Sequence, residues 1–211
     1  MFCMPVVDLF EASDSFAMDL LARTAAVEPT EQSPRFFTSA VAVSLAHEHW
    51  HAVRALLAGG LLPSAMVVHR SQFEATARSI WLLYAASEND VAKLNANLSL
   101  ESEQTAKNMP SVAAMLGDLE KRGPKEAHSA LMHFKTNSWK ALTSYAHAGI
   151  HPLQRHSDGY PQKLLEDSLR NANGLAVIGF MQIAAIGGQP AMQREILGCA
   201  DEHAVCMPPR L

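Results

Sequence analysis

Apolar residues return at every third or fourth position along almost the whole chain, and no run alternates apolar and polar side chains for long enough to make a strand. That periodicity excludes most architectures. A 3.6-residue repeat lays one apolar stripe along a helix, and a chain made of such stripes must bury them against one another. The expectation is an all-α, single-domain antiparallel bundle of about seven or eight helices over 1–211, with its core in 35–187 and peripheral ends. The pattern predicts helices over 13–26; 35–58; 64–87; the short pieces 89–96 and 100–108, taken together; 110–122; 125–148; 161–187; and 190–203. Their ends carry proline openings and glycine closures, as in "GGLLPS" at 59–64 and "GGQP" at 187–190. The polar stretch 87–110 reads as a surface excursion.

Charge and cysteine content narrow the partners. A net charge of −4 gives no global reason to expect nucleic acid, which stays possible only through a local basic patch. Cys3, Cys199 and Cys206 are odd in number and unpaired in spacing, so neither a disulfide framework nor a cysteine zinc cluster is suggested, and a reducing cytoplasm is the expected home. The start "MFCMPVVDLFEASD" lacks the basic and apolar regions of a signal peptide. The longest apolar stretch, "GLAVIGFMQIAAIGG" at 174–188, carries Gln182 and falls short of the ~20 residues that span a bilayer. It reads as a central buried helix. No membrane and no cofactor are expected, and a homo-oligomer is.

The segment "AHEHWHAVRALL" spells the zinc-protease pattern H-E-x-x-H at His47, Glu48 and His51. On a helical wheel Val43, Ala46, Trp50, Val53 and Leu57 form the core stripe, and His47 and His51 fall on one edge of it. The short turn at 59–63 makes 35–58 and 64–87 antiparallel neighbours, with residue i level with residue 122 − i. Arg70, Glu74 and Arg78 then form a row at the height of the two histidines. As a metal site, His47, His51 and Glu74 would be ligands and Glu48 the base acting on a bound water. As a structural site, Arg70 and Glu74 pair in a buried polar network that the histidines help to satisfy, and Arg70→Ala should then be severely destabilising. The pattern is short, the chain holds 10 histidines, and the longer form with a downstream glycine and third histidine is absent, so the structural reading is preferred.

A second candidate follows the predicted helix 125–148. Tyr145 and His147 end that helix, and Gly149, His151, Arg155, His156 and Tyr160 follow in a predicted loop, with Gly149 as the residue just past the helix end. Such a loop can present histidine and arginine to an anion, or tie two long helices together. In "NANG" at 171–174, a glycine inside a helical pattern points to close packing.

The segments "HRSQFEATARSIWLLYAAS", "LSLESEQTAKNMP", "SWKALTSYAHAGIHPLQRHSDGYP" and "LRNANGLAV" together resemble a bacterial family of helical proteins of unknown function, over residues 36–187. More remotely the arrangement resembles the HEPN superfamily, helical domains that include RNA-cleaving toxins and nucleotide-binding proteins. The first resemblance implies a helical fold and no activity. The second implies an arginine and a histidine four to six residues apart on one helix, for phosphate stabilisation and proton transfer. The one arginine followed by a histidine at such a spacing, Arg122 to His128, spans the Gly123-Pro124 break, so nuclease chemistry is not carried over.

The reading is of a non-catalytic binding or interaction protein with a polar site built from His51, Arg70, Glu74, Tyr145, His147 and Arg155. A HEPN-like ribonuclease and a zinc-dependent hydrolase using His47-Glu48-His51 are the alternatives.

Overall fold

A computed structural model describes residues 6–209. Among them are ten α-helices and no strand: α1 (Val6–Thr24), α2 (Pro34–Ala58), α3 (Leu62–Tyr84), α4 (Glu88–Asn95), α5 (Leu100–Ala106), α6 (Val112–Arg122), α7 (Lys125–Ala146), α8 (Ile150–Asp158), α9 (Gln162–Ile186) and α10 (Pro190–Glu202), followed by a 3-10 turn, Ala204–Cys206. The all-α expectation holds, with more helices than expected. Cys3 lies outside the described residues.

The added helix is α8, in the stretch read as a loop. Pro152 sits in the first turn of α8, where its missing N–H has no helical acceptor to lose. The preceding turn also differs. Ala148, at φ 49°, takes the left-handed position expected of Gly149. The Gly149 N–H donates to the Ser144 carbonyl (2.8 Å) and that of Ala148 to Tyr145 (3.4 Å), the two bonds that terminate a helix in this way. Gly149 is needed for proximity instead, since a Cβ there would stand 2.6 Å from the Ser144 hydroxyl. The two Gly-Gly pairs behave as expected: Gly60 and Gly188 have positive φ, and Leu61 and Gln189 donate back to the carbonyls of Leu56 and Ala184, both at 2.8 Å.

The helices assemble around α2, α3 and α9. Val43, Ala46, Trp50, Val53 and Leu57 are all buried, as the wheel predicted. Helix α3 packs along α2 and also supports α6, α7 and α9, while α1 and α10 cover α9. The α2–α3 register is one helical turn shorter than 122 − i, because α3 begins at Leu62 instead of residue 64 and Ser39 hydrogen-bonds Ser79 across the pair (2.8 Å).

Three polar ties fix these long helices where apolar packing alone would let them slide. The Gln182 amide donates to Ser39 Oγ (3.1 Å), joining α9 to the Ser39–Ser79 pair. Asn173 Oδ1 accepts from the Trp50 indole (2.9 Å) while its Nδ2 donates to the Cys206 carbonyl (3.0 Å). Gln72 donates to the Ala172 carbonyl (3.0 Å). Gly174 is explained by proximity, since a Cβ would meet Pro208 at 2.6 Å. No helix among the described residues is long and apolar enough to cross a membrane.

Candidate functional site

The H-E-x-x-H segment folds as one helix, but its histidines do not converge with Glu74. The His47 ring lies flat on Phe180 of α9, with centroids 4.0 Å apart and planes 20° apart, and that close approach is possible because residue 179 is glycine. His47 Nε2 is buried with no hydrogen-bond partner. Burial, helped by the nearby His51, lowers the His47 pKa from 6.5 to about 4, so the ring is neutral. His51 sits against Trp50 (4.9 Å between centroids), with Nδ1 3.2 Å from an Arg54 nitrogen. Arg54 in turn stacks over Trp50 and ion-pairs with Asp14 of α1. The two histidines thus engage α9 and the Arg54–Asp14 pair, while Glu74 serves the α3–α7 seam. The alternative metal set His47, His51 and Glu74 is not brought together, and His51 stands apart from the other candidate site residues.

At the other seam, Arg70 Nε donates to Glu74 Oε1 (2.9 Å), an Arg70 Nη lies 3.3 Å from His147 Nε2, and the guanidinium stacks 4.7 Å from the centre of the Trp139 ring. Arg70, Glu74 and His147 therefore form one cluster, which pins the C-terminal end of α7 onto α3. Tyr145 is buried and stacks on His151 of α8 (6.5 Å, 22°); burial and the neighbouring Tyr160 raise its pKa, against the opposing effect of Arg155. Arg155 is exposed on α8. Arg122 closes α6 beside Asp118 (3.5 Å), and His128 lies in the first turn of α7, beyond the Gly123-Pro124 turn. No single helix carries that pair.

A third place was missed in the sequence. Helices α7 and α9 both rest on α3 but make little contact with each other. Between them runs an open groove, with a cavity of about 440 Å³ over Ile80 and Tyr84 and a second of about 230 Å³ toward Pro208; Ala130 and Ile178 border both. Its apolar wall is a stripe of α9, Val177, Ile178, Met181 and Ala185, each only partly buried. Tyr84 and Glu126 bring a hydroxyl and a carboxylate to the wider part, which no lysine, arginine or histidine lines. Burial raises the Tyr84 pKa, so its hydroxyl keeps its proton. The available signal was the all-round apolar character of 174–188; nothing local said that α7 leaves one side of it open.

The chain belongs to a family of proteins of unknown function, DUF6988, whose family model matches residues 43–209. No curated protein and no solved structure matches it.

Proposed function

We propose that this member of DUF6988 is a non-catalytic binding protein, and that the α7–α9 groove takes up a small, largely apolar molecule with a neutral or positively charged polar end. The carrying observation is the partly exposed stripe Val177, Ile178 and Met181 on a helix whose other sides are closed by α1, α2, α3 and α10. Apolar surface held open in a concave site gains free energy when a ligand replaces its water. A cavity of about 440 Å³ with mainly aliphatic walls and few polar groups has the character of a small-molecule site. The Tyr84 hydroxyl can donate and the Glu126 carboxylate can accept, which disfavours an anionic ligand. The Arg70–Glu74–His147 cluster contributes indirectly, by anchoring the far end of α7 while its N-terminal end forms the groove wall.

The test is titration of the full chain with a neutral, environment-sensitive apolar dye, comparing the parent with Ala130→Trp, which fills the junction of the two cavities. Saturable binding by the parent that falls at least about tenfold in a variant with unchanged melting supports the reading. No saturable binding by the parent, or equal binding by both, overturns it.

A further inference from the structure

The donor atoms of Asp19, Cys199 and His203 lie within 4.8 Å of one another, and this is the one such group of three among the described residues. We infer that Asp19, Cys199 and His203 form a binding site for one divalent cation of zinc character, independent of the α7–α9 groove. Cys199 is in the last turns of α10 and His203 caps that helix, its N–H donating to the Cys199 carbonyl (3.1 Å), so the two side chains sit one turn apart on one face. Asp19 reaches them from α1, with its carboxylate 2.7 Å from His203 Nε2. One thiol, one imidazole and one carboxylate are the donors that zinc accepts, and three protein ligands leave the fourth tetrahedral position to water.

The geometry needs only small adjustment. Metal–ligand bonds of about 2.0–2.3 Å in a tetrahedron put ligand atoms roughly 3.3–3.7 Å apart. The imidazole and carboxylate must part by somewhat less than 1 Å and the sulfur close in by about as much, starting from separations of 2.7 Å and at most 4.8 Å. Asp19 is half exposed, which gives an ion access, while Cys199 is fully buried at the base. The exposed carbonyls at the end of α10 favour a cation there. A thiolate and a carboxylate balance its two charges, the thiol proton leaving to solvent as the metal–sulfur bond forms. Arg23, the competing cation at the Cys199 thiol, also ion-pairs with Glu202 (3.3 Å), a partner it keeps when a metal takes the sulfur. Phe16 packs on His203 (5.7 Å between centroids) and limits its ring to few orientations. Cys206 is not among the three: its thiol donates to the His203 carbonyl (3.3 Å) and its own carbonyl accepts from Asn173.

The site is tested by titrating cobalt(II) into chelator-treated, untagged full-chain protein. One cobalt per chain, with a thiolate-to-cobalt charge-transfer band in the near ultraviolet, is expected. The band should vanish in Cys199→Ser, persist in Cys206→Ser and His51→Ala, and require at least about tenfold more cobalt in Asp19→Asn, a conservative change at a half-exposed position. Absence of the band at equimolar cobalt, its survival in Cys199→Ser, or unaltered affinity in Asp19→Asn overturns the site. So does its loss in Cys206→Ser or His51→Ala with melting unchanged.

Discussion

Two histidines make stability fall on the acid side of neutrality. His69 is fully enclosed in α3: Gln72 gives its amide N–H to the Ala172 carbonyl, so its Oε1 faces His69 Nδ1 (2.9 Å) as an acceptor, and Nδ1 carries the ring proton. Nε2 is left with no partner, and burial lowers the pKa to about 4, as it does for His47 on Phe180. The sign follows from proton uptake. Between the ordinary value of 6.5 and about 4 the unfolded chain binds protons that the folded chain refuses, so unfolding is favoured as pH drops through that window; above it the effect vanishes and below it the effect levels off. At 1.36 kcal/mol per unit, each ring removes about 2 kcal/mol at pH 5 and about 3 kcal/mol below pH 4. Both together remove about 4 kcal/mol at pH 5, a large part of a typical 5–15 kcal/mol total. Urea unfolding at pH 7.5 and pH 5 reads the difference directly. His69→Asn retains a donor near the Nδ1 position and His47→Leu retains apolar bulk; each should flatten the pH slope by about one proton whatever its cost at pH 7.5. A parent that loses less than about 1 kcal/mol across that range, or variants with the parent's slope, would refute the argument.

Two of the α-helical glycines, Gly179 and Gly117, should respond in opposite directions. A Cβ at Gly179 meets His47 Nε2 at 2.8 Å, so Gly179→Ala should cost about 1–3 kcal/mol, whereas at Gly117 nothing lies within 4 Å and alanine should stabilise by about 0.5–1 kcal/mol; urea midpoints decide both. Arg70→Ala should cost only about 1 kcal/mol and leave the helical circular dichroism intact, contrary to the severe loss anticipated for a buried pair, because the side chains of Arg70 and Glu74 are 21% and 35% exposed and water can take over the carboxylate. A loss above about 3 kcal/mol in calorimetry would show the pair to be effectively buried.

What the sequence disclosed and what it hid divide along physical lines. Trp50 and its stripe were legible because they depend only on the 3.6-residue repeat, and the Gly-Gly turns because positive φ selects glycine locally. Helix α8 was hidden because Pro152 has opposite meanings in the first turn and in a helix interior. His51 was misplaced because a wheel gives the edge of a stripe but not which neighbour lies beyond it, and Arg54 with Asp14, not Arg70, proved to be its surroundings. Asp19 could not be joined to Cys199 and His203 from spacing, since the ligands lie on helices at opposite ends of the chain.

Helix α9 shows why the groove was the hardest part to foresee. Its buried sides hold Asn173 and Gln182 among Leu169, Leu175, Phe180 and Ile186, and its open side holds Val177, Ile178 and Met181, so that, unlike an ordinary amphipathic surface helix, it is apolar on the open side as well. The two buried amides are tolerated because each finds its partners: the Trp50 indole and the Cys206 carbonyl for Asn173, Ser39 for Gln182. Those directional bonds fix how α9 is rotated against α1, α2 and α3, and that rotation turns the aliphatic stripe toward the gap beside α7. A hydropathy profile averages the two sides into one buried helix. Read with its hydrogen bonds, the same segment is a rigid wall whose polar residues orient it and whose apolar residues remain available for a ligand.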